Sequence, residues 1–147
     1  MDKSRVNQKV FFDYEILETL EAGIELRGYE VKAIRTGKIS LAGSHVIIKN
    51  GEAWLLGADI APYQPNNTPV DYDPRRVRKL LLRASEIKEL VGKTHKTGLT
   101  IMPIKLYNKN GKIKLEIGLA RHKKKQDKRG TIKKKDIERE TGRTFKR

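Results

Sequence analysis

Thr100-Ile101-Met102-Pro103-Ile104-Lys105-Leu106-Tyr107-Asn108-Lys109-Asn110-Gly111-Lys112-Ile113-Lys114-Leu115-Glu116-Ile117-Gly118-Leu119 decides the fold. It reads as two strands, over residues 100–107 and 112–119, joined by Asn108-Lys109-Asn110-Gly111. Asn and Gly accept the positive φ that a tight hairpin turn needs. The second arm alternates, with Ile113, Leu115, Ile117 and Leu119 on one side and Lys112, Lys114 and Glu116 on the other. A period of two with one apolar face marks a half-buried antiparallel strand.

The same grammar recurs upstream. Residues 45–49 and 53–56 flank Asn50-Gly51, a second hairpin signal. Residues 11–20 are rich in Phe, Tyr and Ile and read as a strand, interrupted at Glu21-Ala22-Gly23 by a bulge or close backbone approach. Tyr29, Val31, Ala33 and Ile34 suit a short helix stopped by Gly37, and residues 39–41 suit a brief strand. Residues 62–69 form an irregular loop. Asp73-Pro74 predicts a helix from Asp73 as N-cap to Leu82, and Ser85 predicts another to Val91 with Gly92 as its stop. About six strands, hairpin turns and two or three short helices predict a mainly β fold: a small antiparallel barrel of the OB type.

The charge is uneven. The chain has 147 residues and a net charge of +15. Residues 121–147 hold thirteen Lys or Arg against four Asp or Glu, so they carry +9 of it. Ile132, Ile137 and Phe145 are their only large apolar residues. Such a stretch buries too little apolar surface to offset the entropy of ordering it, but it neutralises phosphates and releases their counterions. Two parts follow: a nucleic-acid-binding body over residues 1–120 and a basic tail over 121–147. The tail is expected to be disordered when free. On a polyanionic surface it is expected to be partly helical, from Ile132 to Thr141 behind a Thr131 cap.

Other function classes find little support. There is no Cys for a disulfide, thiolate metal site or thiol nucleophile. His45, His95 and His122 stand singly, without metal or acid–base spacing. Asp71 and Asp73 are the only carboxylates suggesting a shared divalent ion, and Asp73 before Pro74 suits an N-cap better. No phosphate-cradling glycine loop, signal peptide or membrane-length apolar run is present. The expectation is a cytoplasmic protein that is not an enzyme, uses no cofactor or metal, and does not bind membranes.

Recognition chemistry is better represented. Arg75, Arg78, Lys79 and Arg83 recur at helical spacing and predict a basic stripe, with Val77, Leu80 and Leu81 packed beneath it. Lys32, Arg35 and Lys38 form a second basic group. Tyr14, Tyr29, Tyr63, Tyr72 and Tyr107 could stack on bases, but each suits a core or rim position better.

Four ordered blocks then carry a resemblance. Glu21-Ala22-Gly23-Ile24 precedes Gly28-Tyr29-Glu30-Val31-Lys32-Ala33-Ile34-Arg35-Thr36-Gly37-Lys38. Asp73-Pro74-Arg75-Arg76 with Arg78-Lys79-Leu80-Leu81-Leu82, then Gly118-Leu119-Ala120-Arg121, then Lys123-Lys124-Lys125-Gln126-Asp127-Lys128-Arg129 follow. Together they resemble the SsrA-binding protein (SmpB) family, from about Asn7 onward. The resemblance implies a barrel that binds the tRNA-like domain of transfer-messenger RNA and delivers it to stalled ribosomes. It also implies a tail lying in the empty messenger channel and decoding centre, with elongation factor Tu joining indirectly.

The resemblance implies that Asn7, Glu21, Gly23 and Leu81 face RNA, and with them the candidate RNA-binding residues are Asn7, Lys9, Tyr14, Glu21, Ala22, Gly23, Lys32, Arg35, Lys38, Arg78, Lys79 and Leu81. The candidate ribosome-binding tail residues are Lys123, Lys124, Lys125, Asp127, Lys128, Arg129, Lys133, Lys134 and Ile137. The chain departs from the family pattern at Phe12, where a His is common, and at Tyr29 and Ala33, where Thr and Ser are common. Many members also carry an aromatic where this chain has Ile137. Glu21 has two readings: it accepts hydrogen bonds from a base edge or ribose hydroxyl, or it accepts from nearby backbone and fixes the bend at Gly23. The rival functions are a general single-strand-binding barrel and, last, a metal-dependent RNA-processing enzyme.

Overall fold

The structure is a computed structural model, and it describes residues 5–95 and 98–124. The elements run β1 (Arg5–Val6), α1 (Gln8–Asp13), β2 (Tyr14–Ile24), α2 (Gly28–Arg35), β3 (Ile39–Ser40), β4 (His45–Lys49), β5 (Glu52–Leu56), β6 (Asp59–Ile60), β7 (Arg78–Leu81), α3 (Ala84–Thr94), β8 (Leu99–Lys109) and β9 (Lys112–His122). A 3-10 turn occupies Pro65–Asn67 in the irregular loop. The fold is mainly β. Every strand pairing is antiparallel. The order β8-β4-β5-β7-β2-β9 returns to its start because β8 also pairs with β9. Six strands therefore have a partner on each side, with β1 beside β8. No helix among the described residues is long and apolar enough to cross a membrane.

Both predicted hairpins form. At their tips Asn50 and Gly51 have φ of 55° and 73°, and Asn110 and Gly111 have φ of 51° and 79°, the left-handed pairs such turns require. Ile113, Leu115, Ile117 and Leu119 are all buried, as their alternation demands. Ile113, Leu115 and Ile117 join Ala22, Ile24, Ala53, Leu55 and Leu80 in one core, capped by Ala33 and Ile34 of α2. β9 continues past Ala120 to His122. There the Lys123 N–H donates to Asp13 O at 2.8 Å, and Lys123 Nζ donates to Phe11 O at 2.9 Å.

Several expectations need correction. Phe11, Phe12 and Asp13 belong to α1, not to a strand. α1 is held from outside: the Asn7 N–H donates to Ile104 O at 2.6 Å, and Asn7 Nδ2 donates to Pro103 O at 3.0 Å. A six-residue helix has little stability of its own, so these tertiary ties override the β propensity of its aromatics. β2 is not interrupted at Glu21-Ala22-Gly23. It pairs there without a break, Glu21 with Glu116, Ala22 with Leu115 and Gly23 with Lys114. Its register slips earlier, between Ile16 and Glu18, where Leu17 turns outward.

The largest correction concerns residues 73–82. They form a turn and then strand β7, not a helix. The Asp73 carboxylate accepts the Arg75 N–H at 2.9 Å, closing a short turn two residues on. Period two then governs: Arg78 and Leu80 point inward, while Lys79 and Leu81 point outward. The basic stripe dissolves with the helix. α3 begins at Ala84 behind Arg83, whose N–H donates to Glu86 Oε1 at 2.8 Å, and it passes through Gly92 to Thr94.

Candidate nucleic-acid interface

Strand pairing gathers part of the predicted set into one groove. Gly23 of β2 lies opposite Leu81 of β7, and Glu21 stands two residues away on the same outward face. Glu21, Gly23, Lys79 and Leu81 line this groove with Arg83 and Lys114. Leu81 is 49% exposed although apolar, and the partly exposed Leu20, Leu82 and Ile87 line the groove with it, so hydrophobic contact is offered beside the charged groups. Ala22 lies between the two outward residues and is wholly buried, so its side chain belongs to the core.

Glu21 is supported by two groups that sequence reasoning missed. Tyr107 Oη donates a short hydrogen bond to Glu21 Oε2, and Lys109 Nζ lies 3.4 Å from Oε1 and 3.3 Å from Oε2. Tyr107 faces Lys114 across the β8–β9 pairing. The Tyr107 hydrogen bond is the main reason the Glu21 carboxyl sits below its ordinary range, with Lys109 and Lys114 adding to it against slight burial. Tyr107 in turn is pushed well above the ordinary phenol value by burial and by the Glu21 carboxylate. The readable signal was the outward alternation Lys105, Tyr107, Lys109 and Lys112, Lys114, Glu116. It gained meaning only once the register placed it beside β2.

A second group lies at the other end of β2. Asn7, Lys9 and Tyr14 line a depression with Gly43, Ser44, His45 and Met102. The Tyr14 ring meets His122 edge-on at 5.0 Å. Asn7 is buried and its amide is spent on Pro103, whereas Lys9 is exposed. From Tyr14 to Gly23 the strand advances nine residues, so the two groups are separated by roughly 25–30 Å at about 3.3 Å per residue.

The remaining predicted residues are spread out. Lys32, Arg35 and Lys38 are exposed along and just after α2. Arg35 Nη2 donates to Gly111 O at 2.9 Å, docking α2 on the β8–β9 turn. Lys38 Nζ donates to Tyr63 O at 3.2 Å.

Arg78 is not available to RNA at all. It is fully buried against Glu30, which is also fully buried. Arg78 Nη2 donates to Glu30 Oε2 at 2.7 Å, and Arg78 Nη1 donates to Ala58 O at 2.8 Å. Arg76 grips the same carboxylate through both Nε and Nη2. The Arg27 N–H donates to Glu30 Oε1 at 2.8 Å, which also caps α2. Burial would raise the Glu30 carboxyl, but donors from Arg76, Arg27 and Arg78 outweigh it and hold it at about 2. Burial and that carboxylate push the Tyr72 phenol, which also faces Arg78, up to about 12. This cluster ties α2 to residues 58–78 and so sets β7, and with it Lys79 and Leu81, against β2.

Of the tail candidates, Lys123 and Lys124 are described, and Lys123 is anchored on α1 as above. Lys125, Asp127, Lys128, Arg129, Lys133, Lys134 and Ile137, and the predicted tail helix, lie outside the described residues. Among the described residues no three His, Asp or Glu side chains are grouped so as to hold a metal ion.

The chain is 50% identical over 141 residues to the SsrA-binding protein of Gloeothece citriformis, covering 96% of this chain and 91% of that one. It is 49% identical over 140 residues to the SsrA-binding protein of Cupriavidus necator, covering 95% and 93%. A solved chain described as "tmRNA-SmpB: a journey to the center of the bacterial ribosome" matches with a TM-score of 0.69 at 46% identity, over 83% of this chain and 85% of that one. The model of the SmpB protein family matches residues 4–147, and the chain belongs to that family.

Proposed function

We propose that this chain binds the tRNA-like domain of transfer-messenger RNA and delivers it to stalled ribosomes for trans-translation. It acts as an adaptor in the cytoplasm and not as an enzyme. The closed circuit of six strand pairings supports a small barrel of the OB type as the RNA-reading body.

The observation that carries the reading is the groove between β2 and β7. Glu21 supplies an acceptor, Leu81 an apolar contact, Gly23 a flat floor, and Lys79 and Lys114 the cations for nearby phosphates. Asn7 acts by holding α1 in place, which presents Lys9 and Tyr14 as a second contact roughly 25–30 Å away along β2. A folded RNA with bulk and defined shape reaches both patches. Lys32, Arg35 and Lys38 add salt-dependent attraction. The tail from Lys123 through Ile137 occupies the messenger channel and meets small-subunit ribosomal RNA, and elongation factor Tu joins through the RNA.

Because Lys123 is fastened to α1, the tail starts from a fixed point on the body. Ending the chain after Lys124 keeps β9 and that anchor. The truncated protein is expected to retain its preference for the tRNA-like domain and to lose rescue of stalled ribosomes in a reconstituted translation assay. Loss of both together would sink the two-part reading.

A further inference from the structure

Glu21 is an unusual group for an RNA surface, since a carboxylate repels phosphate. The structure removes most of that difficulty. Lys109 sits beside both carboxylate oxygens, and Lys114 adds its field from the facing strand. Glu116 opposes Glu21 across β2 and β9, but it is also opposite Lys105, whose ammonium lies 5.6 Å from the centre of the Tyr107 ring. The Tyr107 hydroxyl takes Oε2. Among the described residues Oε1 has only the long contact to Lys109 at 3.4 Å, and it keeps its accepting capacity.

We propose that Tyr107 is a positioning residue for RNA recognition. It turns the Glu21 carboxylate so that Oε1 alone is offered, and this selects a nucleotide presenting one donor, a ribose hydroxyl or a base N–H, to a carboxylate whose charge Lys109 and Lys114 offset. A ring gripping one oxygen prevents the carboxylate from clamping two adjacent base donors at once. It also keeps the acceptor ordered before RNA arrives, which lowers the entropy cost of binding. This rests on the reading that the groove binds the tRNA-like domain, and it names the residue that gives Glu21 its selectivity.

The test is a double-mutant cycle on the full chain with Tyr107→Phe, Glu21→Ala and both together. Affinity is measured for the tRNA-like domain and for an ordinary tRNA. Tyr107→Phe keeps the ring and removes only the hydroxyl. It is expected to weaken binding of the tRNA-like domain roughly threefold to tenfold, the net scale of one intramolecular hydrogen bond at a solvent-exposed site, and to leave ordinary tRNA unchanged. With Glu21 already replaced by Ala, removing the hydroxyl is expected to change nothing further. Carbon-detected NMR titration of the Glu21 carboxyl is expected to show its pKa rising toward the ordinary value in Tyr107→Phe, which a purely structural ring would not cause. If Glu21→Ala weakens binding while Tyr107→Phe does not, or if Tyr107→Phe weakens it equally in the Ala background, the positioning role is overturned and the groove reading stands. If the wild-type chain shows no preference for the tRNA-like domain, both are overturned.

Discussion

Gly23 and Leu81 meet across the β2–β7 register so closely that a Cβ on Gly23 would stand 3.0 Å from Leu81 Cβ and 3.3 Å from its Cδ1. Gly23 has no left-handed backbone to preserve, so its requirement is space. Gly23→Val should push the Leu81 side chain outward and fill the groove floor. Because the nearest atom is Leu81 Cβ, which moves only with its backbone, β7 must also give by a few tenths of an ångström, and the stability cost should be about 1–3 kcal/mol. RNA affinity should fall by more than tenfold. Thermal unfolding and RNA titration on the same sample check this; unchanged affinity with Val in place would remove Gly23 and Leu81 from the interface.

Leu80 and Leu81 are adjacent in sequence and opposite in consequence. Leu80 is 2% exposed in the core, and Leu81 is 49% exposed at the groove. Leu80→Ala should cost about 2–5 kcal/mol of stability, the usual penalty for a core cavity. Leu81→Ala should cost less than about 1 kcal/mol, as surface changes do, and should instead weaken RNA binding. Urea unfolding of both variants checks the split. Equal destabilisation would contradict the period-two reading of β7.

How much of this was legible varies with the range of the interaction involved. The β8–β9 hairpin was readable because Asn110-Gly111 and the alternation from Ile113 to Leu119 are local signals that agree with one another. β7 was misread because one of its two inward residues is Arg78, and a buried arginine imitates the polar face of a helix. Its partner Glu30 is 48 residues away, and no local pattern announces it. Similar separation along the chain hid the candidate interface. Glu21 and Leu81 were named through a family resemblance, whereas Tyr107 and Lys109 came into view only when pairing set β8 and β9 beside β2. α1 shows the reverse case, where ties from Asn7 to Pro103 and Ile104 impose a helix on residues that favour strands.

The Glu30 cluster makes a pH prediction with a definite sign. Its carboxyl is held at about 2, below an ordinary value of 4.5. A depressed carboxyl adds stability that is present above the ordinary value and is lost as pH falls through the folded one. Stability should therefore drop between pH 4.5 and 2, as Glu30 takes up a proton and leaves two buried or half-buried guanidiniums without their counter-charge. Glu30→Gln should already lose about 3–5 kcal/mol at neutral pH, as expected when one partner of a buried pair is removed. It should also flatten the acid limb of the stability curve. Urea midpoints measured from pH 6 to 2.5 for both proteins check this; parallel curves would mean that Glu30 is not the group responsible.

On the proposed function, the β body reads a folded RNA by shape and by specific contacts, with its cations supplying only the salt-sensitive part of the affinity. The most direct measurement is a titration of the full chain against the tRNA-like domain of transfer-messenger RNA, an ordinary tRNA and a single-stranded oligonucleotide across a salt series. Affinity for all three should decline with salt as counterion release weakens, while the preference for the tRNA-like domain persists at the highest salt. Equal affinity for the three, vanishing together as salt rises, would contradict the account.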